Sequence, residues 1–307
     1  MRLLPGTNVK PLRRTVWLSA LTILLISLLG IFAPFVAPYD PTQMQIGLSN
    51  HPPAWYNTPS QKGLPDHLLG TDTYGRDIFS HLIHGARTAM FLVLIAIPLA
   101  VLIGVVVGVV AGWGNRYLEA LFLRLTDILS SVPSFMFAVI VVFILRVTPA
   151  GTALGGLLTL ILAYALINWV GLARLLYTEV LKVKQLAFME AARSLGAGTF
   201  HQVFKHVLPH IAHLIIVWVV NNIPTVILLE ALLGYIGIQI LPVTDGSSFQ
   251  DVSWGGLILI GRSKLNRNPL ILLAPTLCIL AISMSFSMLG EYLNDRMNPQ
   301  LESSDLI

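Results

Sequence analysis

Six apolar stretches, each about 20 residues long, constrain this chain more than any other feature of its sequence. They run roughly from Thr15 to Phe35, Thr88 to Gly112, Leu121 to Leu145, Leu154 to Ala173, Ile211 to Leu233 and Leu270 to Leu289. Hydrocarbon offers no water to free N–H and C=O groups, so each stretch must satisfy its own backbone as an α-helix. Composition agrees: 55% of the 307 residues are hydrophobic and only 11% are charged, where a soluble domain carries about 25% charged residues. Mean hydropathy is +0.76. The expected fold is all-α, a polytopic membrane protein with six transmembrane helices. The first stretch follows Arg13 and Arg14, as a signal peptide would. Its apolar part is longer than a signal core and no small-x-small cleavage site follows, so it reads as a retained anchor.

Lys and Arg set the orientation, because the cytoplasmic side collects them. With the N-terminus inside, 12 of the 19 basic residues fall on the cytoplasmic side and 7 outside, the cluster Arg262, Lys264 and Arg267 running against the bias. Residues 1–14 are then a cytoplasmic N-terminus, 15–35 an anchor helix, and 36–87 a proline-rich extracytoplasmic segment. Residues 88–290 form a five-helix core with a cytoplasmic loop at about 174–210, and 291–307 a cytoplasmic C-terminus. The net charge of +4 comes from scattered residues, which gives no footprint for nucleic acid. Cys278 is the only cysteine, so an intrachain disulfide is excluded and the residue reads as a small buried apolar side chain.

The loop at about 174–210 is polar but ordered in composition. From Tyr177 to Leu195 it contains no proline or glycine, and Gly196 sits where a left-handed helix cap is needed. Thr199 can cap a second helix over Phe200–Val207, which Pro209 stops before opening the next span. Leu186, Phe188, Val203 and Phe204 would hold this hairpin at the membrane surface, and the small Ala191 and Ala192 admit another surface closely. Residue chemistry alone leaves two readings open, an ordinary connector and a docking surface.

Other polar residues stand out against the apolar background. Asp72, Arg76 and Asp77 can pair locally ahead of the second span. Asp127 near a membrane surface can pair with Arg124 at i, i+3, and an ionisable residue at that depth is a functional candidate. Gly104, Gly108 and Gly112 recur every four residues and present a smooth face for helix packing. Glu230, late in the fifth span, faces either a pathway or a structural partner. His206, His210 and His213 have a metal-like spacing, but Pro209 interrupts their helix and they read as interfacial polar residues. Neither a metal nor a cofactor is expected. The sequence has no phosphate-binding G-x-x-x-x-G-K-[ST] loop, so ATP binding would fall to another subunit.

The pattern Glu190-Ala191-Ala192, Gly196, then Leu208-Pro209 resembles the EAA loop of ABC importer permeases; His206 stands where that family often has isoleucine. Leu69-Gly70-Thr71-Asp72, Gly75-Arg76-Asp77 and Gly85-Ala86-Arg87 resemble the LGTDxxGRD…GAR segment of the second permease of dipeptide and oligopeptide importers. Arg124, Asp127 and Pro133 match a further family pattern, RxxDxxxxxP. The run from Glu230 resembles EAxLSFLGLG, with Gly234 and Tyr235 replacing Ser-Phe and Gln239 replacing the last glycine. Trp254-Gly255 resembles the family's WG signature, preceded by a longer linker from Ile240 to Ser253. Gly290-Glu291, Asn294-Asp295-Arg296 and Pro299 resemble its closing LGDxLRDxLDP.

The resemblance covers about residues 15–299 and implies a type I ABC importer permease fold. It makes Glu190, Ala191, Ala192, Gly196, Leu208 and Pro209 the ATPase-coupling residues and leaves Asp127, Glu230 and Trp254 as pathway or gate candidates. The implied partners are a second homologous permease, two cytoplasmic ATPase subunits and an extracytoplasmic binding protein, all at a bacterial inner membrane. The implied cargo is a dipeptide or oligopeptide, antimicrobial peptides included, with nickel or another small solute as the alternative. An intramembrane enzyme would need polar groups converging at depth, whereas Asp127, Glu230 and the histidines lie on different spans. A stand-alone channel would leave the EAA-like loop unexplained.

Overall fold

The computed structural model describes residues 9–57, 62–238, 252–266 and 268–297. Those residues build helices and no strand: α1 (Val9–Ile31), α2 (Ala33–Val36), α3 (Ile78–Trp113), α4 (Arg116–Ser130), α5 (Ser134–Val147), α6 (Pro149–Val183), α7 (Ala187–Ser194), α8 (Thr199–Gln202), α9 (Leu208–Tyr235), α10 (Trp254–Arg262) and α11 (Leu270–Met297), with a π turn over Val203–Val207 joining α8 to α9. Pro59, the connection from Ile240 to Asp251, Arg267 and Pro299 lie outside the described residues.

Five of these helices are long and apolar enough to cross a membrane. The expected third span over Leu121–Leu145 is broken instead, with α4 and α5 meeting at 88°. Pro133 explains the break. It lacks a backbone donor, and it pushes the residue before it out of the helical region, so α4 ends at Ser130 and α5 begins at Ser134 with Pro133 as its extended N-cap. The fourth helix also departs from expectation, continuing past Ala173 to Val183. At about 1.5 Å per residue, the 35 residues of α6 and the 36 of α3 outrun a ~30 Å hydrocarbon core.

By their contacts, the residues fall into two compact units, one of residues 1–90 and 223–307, the other Phe91–Asn222. The second unit is organised on α6. Helix α6 packs against α5, and its C-terminal half meets α3 along Gly104, Gly108 and Gly112. A Cβ built on Gly108 would lie 2.6 Å from the Ala173 carbonyl oxygen, and one on Gly104 or Gly112 would press on Leu172 or Val180. Backbones this close exclude any side chain at the crossing. Phe122 of α4 packs with Trp169, Ala173 and Tyr177 on another side of α6.

In the first unit α1 packs along α11 and α10 crosses α11. The segment before α3 is fixed by buried charge. Asp72 accepts from the Arg76 guanidinium at 2.8 Å and from the amides of Tyr74 and Arg76. Asp77 caps α3, its carboxylate taking the amide and hydroxyl of Ser80, each at 2.7 Å, and it also contacts the His67 ring at 3.0 Å. Of the local pairing expected among Asp72, Arg76 and Asp77, the Asp72–Arg76 pair is present, while Asp77 engages His67 and Ser80 instead. Nearby, Asp40 borders a cavity of about 450 Å³ shared with His84 and Arg87. The Thr42 hydroxyl, then its amide, hold the Asp40 carboxyl below the usual carboxylate range.

Glu230 is also buried. Both carboxylate oxygens accept from the Gly255 amide, at 3.1 and 3.2 Å, at the start of α10, while the Ser253 hydroxyl accepts from Gly256 as the helix N-cap. At the other end of α10, Arg262 donates to the Tyr235 carbonyl. Helix α10 is therefore pinned at both ends to the last turns of α9.

Two stability predictions follow from these contacts. Gly108→Val should lower the melting temperature of the detergent-solubilised chain, with an overpacking cost of about 1–3 kcal/mol. Gly171→Ala, whose added Cβ meets nothing nearer than Trp218 Nε1 at 3.9 Å, should melt like the parent; equal melting of both variants would contradict the tight crossing. Glu230→Ala leaves the buried Gly255 amide without its acceptor, costing about 1–3 kcal/mol, and Glu230→Gln should lose less. If Glu230→Ala melts like the parent, the carboxylate does not anchor α10.

Candidate functional site

The loop between α6 and α9 is a built structure rather than a slack connector. Helix α7 shows the core Met189 and Ala192, both buried, and Met189 joins Val180, Val183, Val207 and Ile211 in one apolar cluster. These residues, rather than Leu186, Phe188 and Phe204, fasten the loop. Those three are exposed, and only Val203 of the four expected anchors packs against the cluster. Polar contacts add two ties. Lys184 donates to the Gly112 carbonyl at 3.0 Å, covering the open end of α3, and its ammonium lies 5.4 Å from the Trp113 ring centre. Arg193 of α7 donates to the Lys184 carbonyl at 3.3 Å.

Gly196 ends α7 with φ +82°. The Ala197 amide reaches back to the Ala192 carbonyl at 3.0 Å and the Gly196 amide to Arg193 at 2.9 Å, the paired bonds of a Schellman cap. A Cβ at Gly196 would meet no atom within 4 Å. The requirement for glycine is therefore conformational, worth about 1–2 kcal/mol against an ordinary residue.

Beyond Gly198 the helix differs from expectation in two respects. Gly198, with no side-chain cap, precedes α8 in place of a capping Thr199, and Pro209 does not stop the helix. Pro209 has no N–H for the Lys205 carbonyl, and its ring crowds that carbonyl. The backbone widens over Val203–Val207, and the Leu208 amide bonds to the Val203 carbonyl, five residues back. The helix then runs unbroken to Tyr235. Such π turns recur at functional sites.

The result is a surface of defined shape. Glu190 and Ala191 are exposed beside the buried Ala192, and Leu208 is half-buried behind Pro209. Leu195 is 88% exposed, Phe200 74% and Phe204 55%, a concentration of apolar surface on the polar loop. The rings of Phe200 and Phe204 stack at 4.2 Å, and Phe188 lies 6.1 and 6.2 Å from His206 and His210. His206 and His210 are part of this aromatic surface, while the His213 ring contacts the His210 carbonyl. Among the described residues, no group of three or more His, Cys, Asp or Glu side chains could hold a metal.

The other candidates are not part of this loop. Asp127 pairs with Arg174 of α6 at 2.5 Å and not with Arg124 as expected, and Tyr177 donates to Glu119 beside it, also at 2.5 Å. Glu230 and Trp254 come together through α10. Trp254 is 1% exposed and donates from Nε1 to the Leu82 carbonyl at 2.9 Å. Sequence reasoning missed Arg174, Lys184, Glu119 and Arg262. Their partners lie far along the chain, so no local spacing marks them.

Comparison with known proteins meets this geometry at the same residues. The model for binding-protein-dependent transport system inner membrane components matches residues 104–299, spanning the packed crossing, the loop and α10. The N-terminal transmembrane domain of oligopeptide transport permease C matches residues 13–53. The di/tripeptide transport system permease protein DppC of Pseudomonas aeruginosa is 31% identical over 92% of this chain and 88% of its own. The oligopeptide transport system permease protein OppC of Bacillus subtilis is 31% identical over 91% and 83%. The glutathione transport system permease protein GsiD of Escherichia coli is 31% identical over 92% and 86%. With a family model covering well over half its length, and relatives aligned nearly end to end, this chain belongs to the binding-protein-dependent transport system inner membrane components and is a multi-pass permease.

Proposed function

We propose that this permease is the second membrane subunit of an ATP-driven importer of dipeptides and oligopeptides. The observation that carries the reading is the α7 surface, where Glu190, Ala191 and Leu195 are exposed on a helix whose other face is locked to α6 and α3. A face that is rigid on one side and open on the other can receive a partner and pass its movement on. ATP hydrolysis would be the work of two cytoplasmic ATPase subunits docked there, with Glu190, Ala191, Ala192, Gly196, Leu208 and Pro209 forming and shaping the contact.

A second homologous permease would complete the pathway, and an extracytoplasmic binding protein would deliver the cargo. In this reading the chain sits in a bacterial inner membrane with residues 1–14 and 291–307 in the cytoplasm, 36–87 outside and 88–290 as the core. Short peptides are supported as cargo by the names of the relatives, the glutathione permease included. Asp127, paired with Arg174, would act at the inner mouth. Glu230 and Trp254 would serve the gate indirectly, by holding α10 against α9 and α3.

Glu190→Lys and Gly196→Pro should each reduce labelled-dipeptide uptake about tenfold or more, a coupling loss of ~1.4 kcal/mol or above. Membrane levels of the chain should stay at the parental value, and the ATPase subunits should no longer co-purify. Parental uptake in both variants would overturn the coupling assignment.

A further inference from the structure

We infer that α4 lies flat in the membrane–water interface on the side of the α7 loop, with an apolar stripe in lipid and a basic edge on anionic headgroups. The inference rests on the chain being a membrane permease but not on its cargo. Geometry supplies the first step. Helices α4 and α5 meet at 88°, so they cannot both cross the bilayer, and whichever does not must run close to the membrane plane.

Helix α5 is the member that enters the bilayer, its 14 residues reaching about 21 Å into a ~30 Å core. Its sequence is apolar apart from Ser134 at its start and Arg146 near its end, and it packs against α6. Helix α4 meets α6 toward the latter's C-terminal end, at Trp169, Ala173 and Tyr177, only a few turns before α7. From Pro149, where α6 starts, those residues lie roughly 30–42 Å along the helix at 1.5 Å per residue. That is about the depth at which a ~30 Å hydrocarbon core gives way to headgroups.

The side chains of α4 divide into three stripes. Phe122 and Thr126 are buried toward α6, and Glu119 and Asp127 are bonded to it through Tyr177 and Arg174. Tyr117, Leu121, Leu125 and Ile128 form a second stripe at i, i+4, i+8 and i+11; Tyr117 is 85%, Leu121 65% and Ile128 67% exposed. The third stripe carries the exposed Arg116 and Arg124. A helix with a wide apolar stripe, flanking arginines and an aromatic at the boundary has the composition of an interfacial helix. Because Asp127 is engaged by Arg174, phosphate is the complementary charge for Arg116 and Arg124.

The test is depth measurement by spin labelling. In a Cys278→Ala background, single cysteines replace Leu121, Ile128 or Arg124 in the full chain, which is purified with its co-expressed subunits. The complex is reconstituted in phosphatidylethanolamine vesicles containing phosphatidylglycerol. Labels at 121 and 128 should be relaxed more by oxygen than by a water-soluble nickel chelate, and the label at 124 should show the reverse. Labels at 121 and 128 shielded from both would mean that a protein covers the stripe. Labels open to nickel would mean that it faces water. Either result overturns the proposal. Neither would touch the coupling assignment, which is read by uptake and co-purification. For the basic edge, the 121 label should sit shallower in pure phosphatidylcholine than with phosphatidylglycerol, and Arg116→Gln with Arg124→Gln should remove that difference. Equal depths in the two lipids for the parental edge would sink the headgroup contact.

Discussion

The crossing of α3 and α6 at Gly104, Gly108 and Gly112 determines where the functional parts of the second unit lie. In lipid the hydrophobic effect does not drive helices together, so association depends on close van der Waals packing and on interhelical bonds. A crossing at which the Ala173 carbonyl leaves no room for a Cβ on Gly108 gives that packing. It also fixes the register of the two helices. In this register Lys184, just past α6, reaches the open carbonyls at the end of α3, and the apolar cluster under α7 closes against Val180 and Val183.

The loop therefore inherits its rigidity from the membrane helices. Each part of α7 has a reason to be where it is: Met189 fills the cluster, Arg193 bonds the Lys184 carbonyl, and Gly196 turns the chain through a left-handed cap. The face bearing Glu190, Ala191 and Leu195 is left open. A comparable economy holds in the first unit, where buried carboxylates fix helix starts: Asp77 caps α3, and Glu230 takes the Gly255 amide in the first turn of α10. Removing one partner from a buried charged contact is costly because the other remains desolvated, so these sites hold position more than they add net stability.

Much of this was legible in the sequence, because it depends on local rules. Span composition located five membrane helices, and the need for a left-handed residue after Leu195 singled out Gly196. The i, i+4 spacing of Asp72 and Arg76 announced their pair, and the four-residue period of the glycines announced a packing face. Three features were not legible. The break at Pro133 was hidden by apolar residues on both sides, since hydropathy averages over a bend. Pro209 read as a stop because a π turn that absorbs a proline has no composition of its own. Asp127 had a plausible local partner in Arg124, and its actual partner, Arg174, lies 47 positions away, brought near only by the packing of α4 on α6.

The two attachments to α6 differ in kind. Helix α7 is joined to it through buried Met189, which packs with Val180 and Val183 of α6. Helix α4 is joined by Phe122 and Thr126 and by ion pairing at Arg174–Asp127, where the side chains are 41% and 70% exposed. Exposed pairs contribute about 0–1 kcal/mol, so the Arg174–Asp127 pair adds little to an attachment carried by buried Phe122 and Thr126 and by the Tyr177–Glu119 bond. The same long helix thus holds α7 through an apolar cluster and α4 through a mixture of buried and exposed contacts.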